Sequence, residues 1–189
     1  MKQSTRDHII QTASDLFYEK GYNLTGINEI IAESGIAKAT LYSHFRSKEE
    51  LLLAYLEAKD EELLKNLSTF CESRPAGDSR LVAVLEFLIP FFNKEYFNGC
   101  WCVRSIAEVP RENEKVRKKI RAGKQKLRNY LQQLVQDNKP QLNAEEQEAL
   151  SNQLYLLYEG AITESHLQDA EWPIQTSIDL LKIKLGQEN

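Results

Sequence analysis

Histidine is scarce in this chain, glycine and proline are sparse, and no long apolar run occurs; each shortage removes a class of answer. The only histidines are His8, His44 and His166, too few and too scattered to read as a catalytic base beside a nucleophile or as a metal cluster. No catalytic residue and no metal ligand is therefore expected, and no cofactor. Three cysteines, an odd number, argue against a disulfide framework and for a reducing, cytoplasmic setting. The stretch that would have to be continuously apolar to cross a membrane is about 18 residues, and charges interrupt every candidate, so no membrane partner is expected. Arg6, Asp7, Asp15 and Glu19 likewise break up the first twenty residues, which do not read as a signal peptide. Basic excess is missing too: the net charge is -4 and the pI near 5.5. That balance advertises no nucleic-acid binding, but binding depends on local charge and not on the total.

What remains is an ordinary globular composition, 42% hydrophobic and 28% charged over 189 residues, long enough to bury a real core. With eight glycines and five prolines the chain favours long helices. Ser4-x-x-Asp7 opens the first, with Ile9, Ala13, Leu16 and Phe17 at helical spacing and Gly21 as its stop. Thr25 is placed to cap a second short helix carrying Ile27, Ile30 and Ile31 up to Gly35. Ser47-x-x-Glu50 is a capping box that starts a long helix through Leu51, Leu52, Tyr55, Leu63, Leu67 and Phe70. "SRPAGDS" at 73–79 is the clearest break. "RLVAVLEFLIPFF" follows as a helix that Pro90 kinks or ends. A short helix to Glu108, a long one from Glu112 to about Gln136, one capped by Asn143 and one begun at Pro173 complete the chain. No segment sustains strand alternation, so the fold class is all-α with about nine helices.

"GIAKATLYSHFRSKEEL", residues 35–51, stands out. A helix over 27–34, a glycine turn at 35 and a helix over 38–44 have helix-turn-helix proportions. Ile30, Ile31, Ile36, Leu41 and Phe45 supply an apolar seam, which leaves Lys38, Thr40, Tyr42, Ser43 and His44 on the open sides of the second helix. These are donors for phosphates or base edges, and such a helix fits the major groove. From Ile36 to Lys48 there is no acidic residue, while Lys38, Arg46 and Lys48 are positive. The helix start at Ser47 adds backbone N–H groups, a natural phosphate seat.

"TGINEIIAESGIAKATLYSHFRSKEELL", 25–52, resembles the DNA-binding motif of the TetR/AcrR family of bacterial transcriptional regulators. The features that carry the likeness are Thr25, Ile30, Gly35, the pair Leu41-Tyr42, Phe45 and the run Ser47-Lys48-Glu49-Glu50-Leu51. The resemblance implies a three-helix DNA-binding head, 1–48, on an all-α body, 49–189, that dimerises and holds an effector. It also implies contacts at Thr25 and Gly26 with phosphate, at Lys38, Ala39 and Thr40 with bases and backbone, and at Tyr42, His44 and Lys48 mostly with phosphate; Ser43 shares that face. Ala37 departs from the pattern, standing where a capping Ser or Thr is usual, at a cost of about 1 kcal/mol. Ile31 stands where a small alanine is frequent.

The body carries "FLIPFFNKEYFNGCWC", 87–102, with Phe87, Phe91, Phe92, Tyr96, Phe97 and Trp101. Such clusters build either core or an apolar ligand pocket. The family keeps its effector cavity in this region, so Phe87, Phe91, Cys100, Trp101, Tyr155 and Tyr158 are the candidate effector residues. Cys100 and Cys102, two apart, would diverge by roughly 200° on a helix and chelate poorly; they read as small buried hydrophobes, with thiol sensing as the alternative. Nine basic residues between Arg111 and Arg128 face only Glu112 and Glu114. They form either a solvated face over the buried stripe Val116, Ile120, Leu127 and Leu131 or a second nucleic-acid patch. In the last two helices Leu154, Gly160, Ala161, Ile178 and Leu181 fall on stripes suited to a four-helix dimer interface. The function expected is a homodimeric regulator, a repressor that binds a palindromic double-stranded operator and leaves it when an unknown small molecule enters the body. A helical effector module or an enzyme that has borrowed the head is the alternative from a different class.

Overall fold

The computed structural model describes residues 4–93 and 97–187. Tyr96, one of the aromatics of the 87–102 stretch, lies outside the described residues. Ten helical spans follow one another: α1 Thr5–Lys20, α2 Ile27–Ser34, α3 Lys38–His44, α4 Lys48–Glu72, α5 Asp78–Glu86, α6 Leu88–Phe92, α7 Trp101–Glu108, α8 Glu114–Asn138, α9 Ala144–Gln168 and α10 Trp172–Lys184. No strand occurs among the described residues. α5 and α6 are the halves of one helix interrupted at Phe87, itself helical at φ -57° and ψ -27°. Pro90 has no N–H to give the Glu86 carbonyl four residues back, so the ladder breaks between the two halves. Counted that way the described residues form nine helices, the all-α architecture the composition implies.

The chain forms two compact units. One is built of residues 1–61 and 101–123, the other of 62–100 and 124–189. The division runs through α4 and α8, so each of these long helices contributes to both cores.

In the first unit α1 buries Ile9, Ala13, Leu16 and Phe17, α2 buries Ile30, and the α3 region buries Leu41 and Phe45. Leu51, Leu52, Tyr55 and Leu56 of α4 complete this core with Val116 and Ile120 of α8. Burying each large apolar side chain contributes about 1.5–3 kcal/mol. Phe17 meets Tyr22 and Tyr55 edge-on, with ring centroids 5.5 and 5.7 Å apart, the geometry that aromatic quadrupoles favour.

In the second unit α9 packs against α10, and both pack against α5; α9 buries Leu150, Leu154, Tyr158, Ala161 and Ile162, and α10 buries Ile174, Ile178 and Leu181. Asn143 caps α9: its side chain accepts from the Glu146 N–H at 3.0 Å, and Glu146 Oε2 accepts the Asn143 N–H at 2.9 Å. Pro173 sits in the first turn of α10, as a residue without an N–H should. Asn138 closes α8 onto the α4–α5 loop, accepting the Gly77 N–H at 2.8 Å.

This packing corrects the expected dimer stripe. Leu154, Ala161, Ile178 and Leu181 are 0, 2, 3 and 1% exposed; they are buried within the chain and offer no outward face. Of the five residues only Gly160 is exposed, with open space where a Cβ would stand. The exposed apolar residues lie elsewhere on the same two helices: Leu156 and Leu167 on α9, Trp172, Leu180 and Ile183 on α10.

Candidate nucleic-acid interface

The recognition element is assembled by α1, α2 and α3. α2 ends at Gly35, whose φ of 64° and ψ of 20° are left-handed, the conformation glycine adopts without penalty. Its N–H donates to the Ala32 carbonyl at 3.2 Å. Two residues later α3 begins at Ala37, whose carbonyl takes the Thr40 and Leu41 N–H groups at 2.9 and 3.2 Å. Ala37 offers no side-chain cap, so the backbone turn alone starts this helix. Leu41 and Phe45 anchor it from below, and Arg6 of α1 lies over the Phe45 ring at 5.2 Å. His8 of α1 reaches the Ser34 carbonyl through Nε2 at 3.0 Å, a bond from α1 to the end of α2 that no local pattern announces.

With that anchoring, Lys38, Ala39, Tyr42, Ser43 and His44 are exposed and Thr40 is half-buried. The helix therefore presents one continuous open side bearing ammonium, hydroxyl, phenol and imidazole groups, with no carboxylate between Ile36 and Lys48. Tyr42 is 42% exposed, among the exposed large side chains of the chain's described residues. The Ser43 hydroxyl donates to the Thr40 carbonyl at 2.7 Å, which commits its proton and leaves its oxygen as an acceptor.

Three of the expected residues lie differently from the simple pattern. Thr25 is fully buried, and its hydroxyl lies 2.7 Å from the Gly21 carbonyl and 3.2 Å from that of Leu16. It neither caps α2 nor reaches outward, because its only donor is committed inside; it holds the α1–α2 turn in place. Gly26 is the N-cap of α2 and is exposed, its own N–H taken by Glu29 Oε2 at 3.3 Å. Lys48 is half-buried, its ammonium 4.3 Å above the Tyr22 ring. Burial lowers its pKa below the ordinary lysine value, opposed by nearby Glu108. Its α4 start is capped as the sequence implies: Ser47 Oγ accepts the Glu50 N–H at 3.1 Å. Glu50 reaches back one residue further than a simple box, to the Arg46 N–H at 2.7 Å.

A second set of contacts, absent from the local sequence pattern, fixes the α1–α2 turn from α7. Glu108 Oε2 accepts the Asn23 N–H at 2.6 Å, and the Glu108 carbonyl accepts from Asn23 Nδ2 at 3.0 Å. Arg104 donates to the Tyr18 and Glu19 carbonyls at 2.8 and 3.2 Å. Those carbonyls end α1, where the helix dipole favours a cation. The guanidinium also lies 3.7 Å from Glu108. Gly21 permits the approach: its φ is 93° and a Cβ there would stand 2.5 Å from Glu108 Oε1. Trp101, at the other end of α7, donates its indole N–H to buried Asp60 at 3.4 Å.

Of the candidate effector residues, Trp101 thus belongs to the first unit, while Phe87, Phe91, Cys100, Tyr155 and Tyr158 belong to the second. Cys100 precedes α7 rather than riding on it. Its sulfur lies 3.2 Å from Lys124 Nζ, which also meets both Glu159 oxygens at 2.6 Å. Burial raises the Glu159 pKa, with Lys124 pulling it back down; burial likewise raises that of Tyr155, with Glu159 adding to the rise. Phe87 stacks edge-on with Phe70, and Phe91 and Phe92 with Phe97, whose ring also meets His166 at 5.8 Å. The body therefore carries clustered aromatic rings and, at Lys124 and Glu159, a partly buried charged pair. Among the described residues no group of three or more His, Cys, Asp or Glu is arranged to hold a metal ion, and no helix is long and apolar enough to cross a membrane.

Two short helices joined through a left-handed glycine, with the second one open and free of acid, define a helix-turn-helix DNA-binding element. Comparison with known proteins agrees. The family model for bacterial regulatory proteins of the tetR family matches residues 9–55, and that for the tetracyclin repressor-like C-terminal domain matches 77–181. The chain belongs to the tetR family: it is a transcriptional regulator with an N-terminal DNA-binding domain. The HTH-type transcriptional activator FasR of Mycolicibacterium smegmatis is 30% identical over 94 residues, covering 50% of this chain and 43% of its own. The HTH-type transcriptional repressor NemR of Escherichia coli K12 is 25% identical over 140 residues, 73% of this chain and 70% of its own. A solved TetR-family regulator from Streptomyces coelicolor, SCO4454, superposes with a TM-score of 0.84 at 27% identity, covering 97% of this chain and 90% of that one. The matched stretch spans less than half the length of FasR.

Proposed function

We propose that this regulator is a cytoplasmic homodimeric repressor that grips a palindromic operator through α3 and lets go when a small molecule enters the body. One observation carries the DNA reading: the α3 side bearing Lys38, Ala39, Tyr42, Ser43 and His44 is open, with Thr40 half-buried, while Leu41 and Phe45 are buried. Lys38 to Thr40 are the groove-reading residues in this proposal. Tyr42, His44 and Lys48 grip phosphates, while Thr25 and Gly26 act by fixing the α1–α2 turn and the start of α2. The functional division into 1–48 and 49–189 belongs to the same proposal.

A lone helix-turn-helix reads a short half-site, so specific binding requires two copies. The exposed residues Leu156, Gly160, Leu167, Trp172, Leu180 and Ile183 are the face on which a second copy would pack. The effector would lie among Phe87, Phe91, Cys100, Tyr155 and Tyr158, with Lys124 and Glu159 as its polar partners. Release follows when the effector prefers the body conformation that holds the two α3 helices at the wrong spacing for successive major grooves.

Selection of binding sites from random-sequence DNA tests the reading. Tyr42→Ala with Lys48→Ala should abolish binding to the selected duplex while leaving a folded dimer. Unchanged, salt-sensitive affinity in that double variant would sink the interface.

A further inference from the structure

The basic segment that opens α8 is pinned against the edge of the DNA-binding unit. Asn113 caps α8, its Oδ1 accepting the Val116 N–H at 3.1 Å, and its Nδ2 donates to Glu49 Oε2 at 2.8 Å. Glu49 is the second residue of α4, next to Lys48. Five residues before Asn113, Glu108 holds Asn23 in the α1–α2 turn. The loop 109–113 therefore runs from the α1–α2 turn, which carries Gly26, to the start of α4, which carries Lys48. It is held at both of its own ends.

Residues 111–118 carry Arg111, Lys115, Arg117 and Lys118 against Glu112 and Glu114, four positive to two negative and so a local +2 in a chain of -4. Among the neighbouring cations of α8, Lys119 pairs with Glu57, and Arg121 lies 3.0 Å from Glu114 with both side chains largely exposed. Lys115 is 3.9 Å from Glu49 with its side chain 80% exposed, a pairing too open to hold it. Arg111 and Lys118 are exposed and, among the described residues, paired with no carboxylate. Arg117 spends its Nε on the Pro110 carbonyl at 3.4 Å and so braces the loop.

We propose that Arg111, Lys115 and Lys118 form a second contact with the operator, gripping the phosphate backbone outside the stretch read by α3; this rests on the DNA-binding reading above. The contact carries no base information. It lengthens the footprint on each side and adds to the salt dependence of binding, since every phosphate neutralised contributes about -0.9 to the slope of log K against log salt.

The test uses the full-length chain and a duplex recovered by random-sequence selection, prepared in two lengths: the selected core alone, and the core extended by flanking random sequence on both sides. The triple variant Arg111→Gln, Lys115→Gln, Lys118→Gln should bind the core like the wild type. On the extended duplex it should bind at least about tenfold more weakly, with a salt slope shallower by about one for each phosphate left without its cation. Circular dichroism and melting of the variant check that it is folded, and Glu49→Gln, which removes the Lys115 partner but none of the cations, should leave the slope unchanged. Equal slopes for wild type and triple variant on the extended duplex overturn the proposal, as does an equal weakening on both lengths. A wild-type chain that selects no duplex refutes the underlying DNA-binding reading instead, which separates the two failures.

Discussion

Replacing Gly21 by alanine should destabilise the DNA-binding unit by about 2–4 kcal/mol, the sum of two separate effects. The first is conformational. Gly21 has φ 93° and ψ 160°, a region closed to side chains, where occupation costs of order 1–3 kcal/mol. The second is steric. The new methyl would stand 2.5 Å from Glu108 Oε1, so the carboxylate must swing away and surrender the Asn23 N–H it accepts at 2.6 Å and the guanidinium of Arg104 at 3.7 Å. Hydrogen bonds to charged groups contribute about 1.5–3 kcal/mol, and partial exposure of this one places it at the lower end. At about 2–4 °C per kcal/mol for a chain of this size, melting should fall by roughly 5–15 °C. Trp101 is buried in the affected unit, so its fluorescence in a Trp172→Phe background reports urea unfolding there. Glu108→Ala and the double variant complete a cycle. If both effects operate, the double variant is destabilised by less than the two single variants added together. A Gly21→Ala protein within about 0.5 kcal/mol of wild type, the ordinary scatter of surface substitutions, would refute the argument from backbone and sterics alike.

Two further outcomes follow from burial. Cys71 is buried, and that burial pushes its pKa from 9.0 to about 11. At pH 8 the native thiol should react with iodoacetamide roughly 100-fold more slowly than the same thiol in urea, because only the thiolate attacks; equal rates measured by mass spectrometry would contradict the assignment. Leu180→Glu, at a position 50% exposed, should convert the proposed dimer to a folded monomer in sedimentation. Leu154→Ala, at a fully buried position, should instead lower stability by about 2–5 kcal/mol with no selective effect on association. The reverse pattern would restore the buried stripe as the interface.

Local chemistry made much of the fold readable. Gly35, the Ser47–Glu50 cap, the Asn143 cap and Pro90 each act over three or four residues, and each marks its helix where the spacing predicts. The face of α3 was equally legible, since Leu41 and Phe45 against Tyr42 and His44 leave one way to orient the helix. The α9–α10 stripe was not, for a definite reason. α9 carries apolar residues at helical spacing on two sides, Leu150–Leu154–Ala161 inward and Leu156–Gly160–Leu167 outward, and periodicity alone does not tell which side its own chain covers. Thr25 was placed outward for want of the direction of its hydroxyl. Glu108 and Asn23, separated by 85 positions, leave no trace in either local pattern.

The threading of α4 and α8 through two cores has a consequence for shuffling regulators by recombination. A crossover after residue 48 would carry over α3 but leave behind Val116, Ile120, Arg104 and Glu108, which the DNA-binding unit uses as core and brace. The transferable piece is discontinuous, 1–61 together with 101–123, so exchanging the proposed groove-reading residues Lys38, Ala39 and Thr40 in place disturbs the fold less than trading whole heads.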